Sequence, residues 1–162
     1  MERRFTAAKA SDLPDEEQLL SMSGLEFMEA VRDGRISGPP IGKLLNFGLD
    51  AVEEGRVAFR GSPLFEACNP MGTVHGGWYG TLLDSCMGCA VMTMVPKGTF
   101  YTTLEYKVNI TKAWSVGTEV GAEGRVQHFG RSTGVASGEI RGAEDGKLFA
   151  SGSTTCIVMK RA

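Results

Sequence analysis

The chain predicts an α+β fold, an antiparallel β-sheet of five to six strands wrapped around one long central helix, with a short helical N-terminal extension. Three observations carry this. The segment 75–94 is apolar on nearly every side and too long for a buried strand. Residues on both sides of it alternate apolar and polar in short runs. A sheet must cover one of its faces, and that helix is the only element able to do so.

The elements follow in order. Residues 1–14 are polar and expected to be loosely ordered. Asp15 opens a short helix to about Met22, its acidic start suiting a helix N-terminus. Ser23-Gly24-Leu25-Glu26 reads as a capping box, followed by an apolar face of Leu25, Met28 and Val31 and a stop at Gly34. Gly38-Pro39-Pro40 breaks the helix, and 1–40 is read as a helical extension and 41–162 as the main domain. Leu45, Phe47, Leu49 and Ala51 alternate, Glu54-Gly55 turns, and Val57 and Phe59 alternate again, which predicts a hairpin. Pro96 and Gly98 end the helix, and Phe100 to Ile110 alternate. Strands are expected over 118–128, 132–141 and 148–158, joined by turns at Gly130-Arg131 and Asp145-Gly146.

Composition excludes several classes. The 162 residues hold 17 basic and 19 acidic groups, for a net charge of −2, so a nucleic-acid backbone is not the expected partner. No apolar run is long enough for a membrane helix, and no secretory signal is read at the N-terminus. The four cysteines are then read as core thiols in a reducing cytoplasm. Cys86 and Cys89 form C-x-x-C, but inside an apolar helix and without two further ligands at matching spacing, which disfavours redox and metal roles. The 22 glycines are about twice the usual share and suggest turns and close backbone approaches.

Chemistry concentrates at the long helix. His75-Gly76-Gly77 sits at its N-terminus, where unpaired N–H groups and the helix dipole favour an oxyanion; the plainer alternative is that the two glycines let the helix entry pack against the sheet. Asp84 is the lone charge between His75 and Val95, with Gly80, Thr81, Met87, Gly88 and Val91 as helical neighbours. A desolvated carboxylate there suits proton transfer, and a bond to nearby backbone or to Ser85 is the plainer alternative. His75 and Asp84 are nine positions apart. That is about 900°, a net half turn, and about 13 Å along the axis. Both act on one substrate only if two chains lay their helices side by side in opposite directions, which requires a two-fold dimer.

These residues resemble the hotdog-fold thioesterases, in particular the PaaI-like acyl-CoA thioesterases. The likeness rests on N-x-x-G-x-x-H-G-G at 69–77, Asp84 nine residues on, T-L-E-Y-K-V-N at 103–109, and D-G-K-L-F-A-S-G-S-T-T at 145–155. It implies hydrolysis of an acyl-CoA, with a small aromatic or medium-chain acyl group, to the free acid and CoA. Asp84 would be general base or nucleophile, and the Gly76 N–H would polarise the thioester carbonyl. His75 and Asn69 would orient substrate or water, and Thr103 would stand beside the carboxylate. The resemblance further implies a homodimer with composite sites, Asp84 and Thr103 from one subunit and Asn69, His75 and Gly76 from the other, assembling into a homotetramer. It implies no metal or cofactor. Where the family has proline near 113, this chain reads Lys112-Ala113-Trp114. Gly77 and Met87 are placed with the substrate-binding residues, and Arg131, with Lys97 and Lys112 behind it, is expected to meet the CoA phosphates. Two other readings compete. A hotdog dehydratase would need a motif such as D-x-N-P-x-H, which is absent. A non-catalytic acyl-CoA sensor would lack the carboxylate and usually carry a DNA-binding appendage, and residues 1–40 are acidic.

Overall fold

The computed structural model describes residues 5–160. Among the described residues, four α-helices and six strands follow in order. They are α1 (Glu16–Leu20), α2 (Gly24–Arg32), α3 (Pro40–Leu44), β1 (Phe47–Glu53), β2 (Arg56–Gly61), α4 (Gly76–Thr93), β3 (Thr99–Ile110), β4 (Val120–Phe129), β5 (Thr133–Gly142) and β6 (Leu148–Lys160). The strands form one sheet in the order β1-β2-β4-β5-β6-β3, antiparallel throughout. It wraps α4, whose Leu82, Leu83, Cys86, Met87, Ala90 and Val91 are fully buried.

The glycine excess has a physical use. Gly124, Gly138 and Gly152 lie opposite one another on β4, β5 and β6. A Cβ at Gly124 would strike the Cys86 carbonyl, and one at Gly138 would lie 2.7 Å from Met87 Cγ. This row lets the sheet close on the helix backbone. At the helix N-terminal end an aromatic cluster fills the space instead. Tyr79 stacks on Trp114 at 4.2 Å between ring centroids, and Trp78 and Phe149 meet Trp114 edge-on. Trp114, which stands where the resembling family departs from this chain, is therefore a core residue, 6% exposed.

Local expectations hold where local chemistry decides. Asp15 caps α1, accepting from the Gln18 N–H, and the Ser23–Glu26 capping box is formed at α2. Four others are corrected. Residues 5–14 are not loose: Thr6 bridges to Gly38, and Ala7 is buried. Residues 1–4 lie outside the described residues. Gly38-Pro39-Pro40 does not only break a helix; Pro40 opens α3, as proline can at a first helical position. Leu45 caps α3 rather than starting β1, and a bulge after Leu49 turns Val52 inward in place of Ala51. A second bulge, between Thr103 and Glu105, splits the alternation of β3.

The extension is not a separate layer. Gly24 donates to the Val95 carbonyl at 2.8 Å, and a Cβ there would collide with the Met92 carbonyl oxygen. So α2 seats directly on the C-terminal end of α4.

Candidate active site

Helix α4 presents a row at four-residue spacing toward β3: Gly76, Gly80, Asp84 and Gly88. Positions four apart share a helix face. Each small residue admits a β3 side chain. A Cβ at Gly76 would meet Ile110, one at Gly80 Tyr106, and one at Gly88 Tyr101 and Thr103. Asp84 is the exception in the row, and Thr103 Oγ1 donates to its Oδ1 at 3.0 Å. Both residues are half-buried. The β3 bulge makes this possible, because it turns Tyr101 and Thr103 inward before it and Tyr106 after it. Asp84 Oδ2 has no hydrogen-bond partner among the described residues.

His75 is the N-cap of α4, extended at φ −65° and ψ 140°. Its Nδ1 accepts the Gly77 N–H at 2.9 Å, and its carbonyl accepts the Trp78 N–H. The first-turn N–H groups of Gly77 and Trp78 are thus occupied, and the Gly76 N–H is left as the donor at an exposed helix end. This capping use of His75 is local to residues 75–77, but histidine is not among the usual capping residues, so the sequence does not announce it. His75 and Gly77 border a small cavity with Leu45, Glu66, Cys68 and Trp78. Asp84 faces β3, on a different flank of the helix.

Asn69 is spent on its own loop. Its Oδ1 accepts the Met71 and Thr73 N–H groups, and its Nδ2 donates to Thr73 Oγ1 at 2.7 Å. That loop leads to His75, whose N–H bonds the Ala67 carbonyl. Of the other expected residues, Met87 is 0% exposed and packs under Gly138 and Gly152, away from any surface a substrate could reach. Arg131 lies exposed in the β4–β5 turn, and Lys97 lies exposed between α4 and β3. Lys112 follows β3, its Nζ 5.8 Å from the Phe149 ring centroid.

Sequence reading overlooked Tyr101. Its ring lies against Gly88 beside Thr103, and burial, with Cys89, Cys156 and Asp84 nearby, pushes its hydroxyl pKa well up. The signal available was its position two residues before Thr103 on one strand face. The four cysteines are free. Burial pushes the Cys86 thiol up, and Cys89 is pushed up to about 12 by burial and by Asp84, so both stay protonated at neutral pH. Among the described residues no group of three or more His, Cys, Asp or Glu is placed to hold a metal. No helix is long and apolar enough to cross a membrane.

An antiparallel sheet closed on one buried helix, with a carboxylate held between helix and edge strand, defines a hotdog-fold protein. Residues 71–149 match the model of the thioesterase superfamily. A conserved protein of Pseudomonas aeruginosa is 29% identical, with a TM-score of 0.67, over 74% of this chain and 93% of its own. A Streptococcus mutans protein bound to acetyl CoA is 26% identical, with a TM-score of 0.65, over 72% of this chain and 90% of its own. A phenylacetic acid degradation-related protein of Ralstonia eutropha shares the fold at 24% identity, with a TM-score of 0.73, over 81% of this chain and 98% of its own. No curated protein matches the chain.

Proposed function

We propose that the protein hydrolyses acyl-CoA thioesters to a carboxylic acid and CoA. The observation that carries this is the Thr103–Asp84 hydrogen bond on the open flank of α4. The thioesterase superfamily match and the acetyl-CoA complex of the Streptococcus mutans relative support the substrate class. Thr103 holds one carboxylate oxygen, so the other faces the reacting water. Asp84 takes a proton from that water as its oxygen attacks the thioester carbon. The carbonyl becomes an oxyanion at the Gly76 N–H, where the helix dipole favours negative charge. Collapse breaks the carbon–sulfur bond, and the CoA sulfur leaves with the proton carried by Asp84. Direct attack by the carboxylate would instead form an acyl-aspartyl anhydride, which water then hydrolyses.

The two halves of this site come from two chains in this reading. Strand β3 is an edge strand paired only with β6 among the described residues. It exposes Leu104 at 60%, Tyr106 at 46% and Ile110 at 48%. A long apolar edge invites a second strand. Two-fold pairing of β3 with its copy would set the two α4 helices antiparallel and bring Gly76 and His75 of one chain to Asp84 of the other. Arg131, Lys97 and Lys112 are the candidates for the CoA phosphates. Four free cysteines suit a reducing compartment such as the cytosol.

The test is thiol release from a panel of aromatic and straight-chain acyl-CoAs, with Asp84→Asn alongside. Turnover in the native protein that the variant loses is the expected result. Tight acyl-CoA binding with no turnover by the native protein would favour a ligand sensor and overturn the enzymatic reading.

A further inference from the structure

The N-terminal extension has no role in the site described so far, yet it walls a groove of about 1180 Å³. Helices α1, α2 and α3 supply one side, through residues such as Leu19, Phe27 and Ile41. Strand β1 and the start of β3 supply the other. The floor is Ser85, Cys89 and Met92, the stripe of α4 next to the Asp84–Gly88 row. The lining carries only two charged residues, Glu16 and Lys43, and both are exposed. Apolar walls stay in contact with water: Leu13 and Ile41 are each 42% exposed and Phe100 is 39% exposed. Surface of this kind, kept apolar and concave, marks a binding site.

We infer that this groove takes the acyl chain of the substrate, and that the substrate is a straight-chain acyl-CoA. The inference rests on the thioesterase reading and adds the acyl class to it. Continuity carries the assignment. Ser85 adjoins Asp84 in the chain, and Tyr101 lies both in the groove and against Gly88, one turn beyond Asp84. A thioester carbonyl at Asp84 therefore sends its chain along Ser85, Cys89 and Met92 toward the N-terminal helices. The CoA moiety does not fit this space, because its phosphates would meet a single lysine. The groove runs from Ser85, beside Asp84, to Leu13 of the extension and Ile41 of α3, a path that an extended chain follows and a compact aromatic acyl group does not. The extension is then the wall that sets chain length.

Two measurements test this. The first compares kcat/KM for acyl-CoAs from butyryl to tetradecanoyl. Each added methylene should raise it, by up to about fourfold, until the groove is full. Ile41→Trp narrows the groove and Leu13→Glu charges its wall, both at exposed positions. Each should lower the ratio of dodecanoyl to butyryl kcat/KM at least tenfold. The second measures dodecanoate binding by calorimetry, which needs no turnover. Native protein should bind it, and Ile41→Trp should weaken binding at least tenfold. Thioesterase activity with a flat chain-length profile would overturn the groove assignment and leave the enzymatic reading intact. Dodecanoate bound by a protein that hydrolyses no acyl-CoA would sustain the groove and overturn the enzymatic reading. No dodecanoate binding, as when a second copy closes the groove, would overturn the assignment.

Discussion

Asp84 owes its geometry to residues that are not charged. Gly80 and Gly88, one turn on either side, let β3 approach closely enough for Thr103 to reach the carboxylate. Asp84→Asn keeps the shape and removes the basicity, so kcat should fall by about 10²–10⁴ with circular dichroism unchanged. Native-like turnover in the purified variant would remove Asp84 from catalysis. Thr103 acts through Asp84 as a positioning residue. Thr103→Val keeps the packing and loses the donor, so kcat should drop about tenfold, on the scale of a lost hydrogen bond to a charged group. Thr103→Ser should restore it. The opposite order, with Val active and Ser impaired, would show that the methyl group matters and the hydroxyl does not. Arg131→Ala should raise KM with kcat nearly constant, because a phosphate contact is made equally in ground and transition states. An unchanged KM at low salt would exclude Arg131 from CoA binding. Asp84 was readable as a lone charge in an apolar run. The engagement of Asn69 within its own loop and of His75 as a cap was not, because both depend on a backbone conformation that no spacing reveals.

Between elements, close approach is set by missing side chains. Gly24 seats α2 on the end of α4, where the obstacle is the Met92 carbonyl and backbone cannot move aside as a flexible side chain would. Gly24→Ala should destabilise the protein by about 1–3 kcal/mol, the usual cost of overpacking. Gly121→Ala on β4 is the matched control, since nothing lies within 4 Å of its Cβ position. It should stay within about 0.5 kcal/mol of native. Equal urea midpoints for the two variants would show that the α2–α4 contact is loose. The order of elements and most of their ends were legible, because caps, turns and periodicity are local. The bulges in β1 and β3 were not. A bulge arises where a strand must keep two partners in register, so its cause lies on other strands.

At the scale of the whole molecule, the site is proposed to be shared between chains. His75→Ala and Asp84→Asn homodimers should each be nearly inactive. Mixing them under exchange conditions places both lesions in one composite site and leaves the other intact. Activity should recover to about a quarter of native if half the dimers are mixed and each has one good site of two. Tagged chains verify exchange by co-purification. Verified heterodimers without activity would mean that both residues act within one chain or that one is not catalytic. Light scattering on the native protein separates a dimer from a tetramer.

Periodicity, turn residues and the scarcity of charge in one apolar helix were enough to reach an antiparallel sheet wrapped around one long helix and to single out Asp84 and the His75-Gly76-Gly77 turn. These are short-range properties, since a helix face, a cap or a hairpin turn is written within a few residues. Tertiary packing decided the rest. It set which face of β3 meets α4, joined Thr103 to Asp84 across 19 positions of chain, and sealed Met87 into the core. It also turned an extension with no functional motif into the wall of a groove. Such outcomes depend on which surfaces meet, and one face of a segment carries no record of its partner until the sheet has closed around the helix.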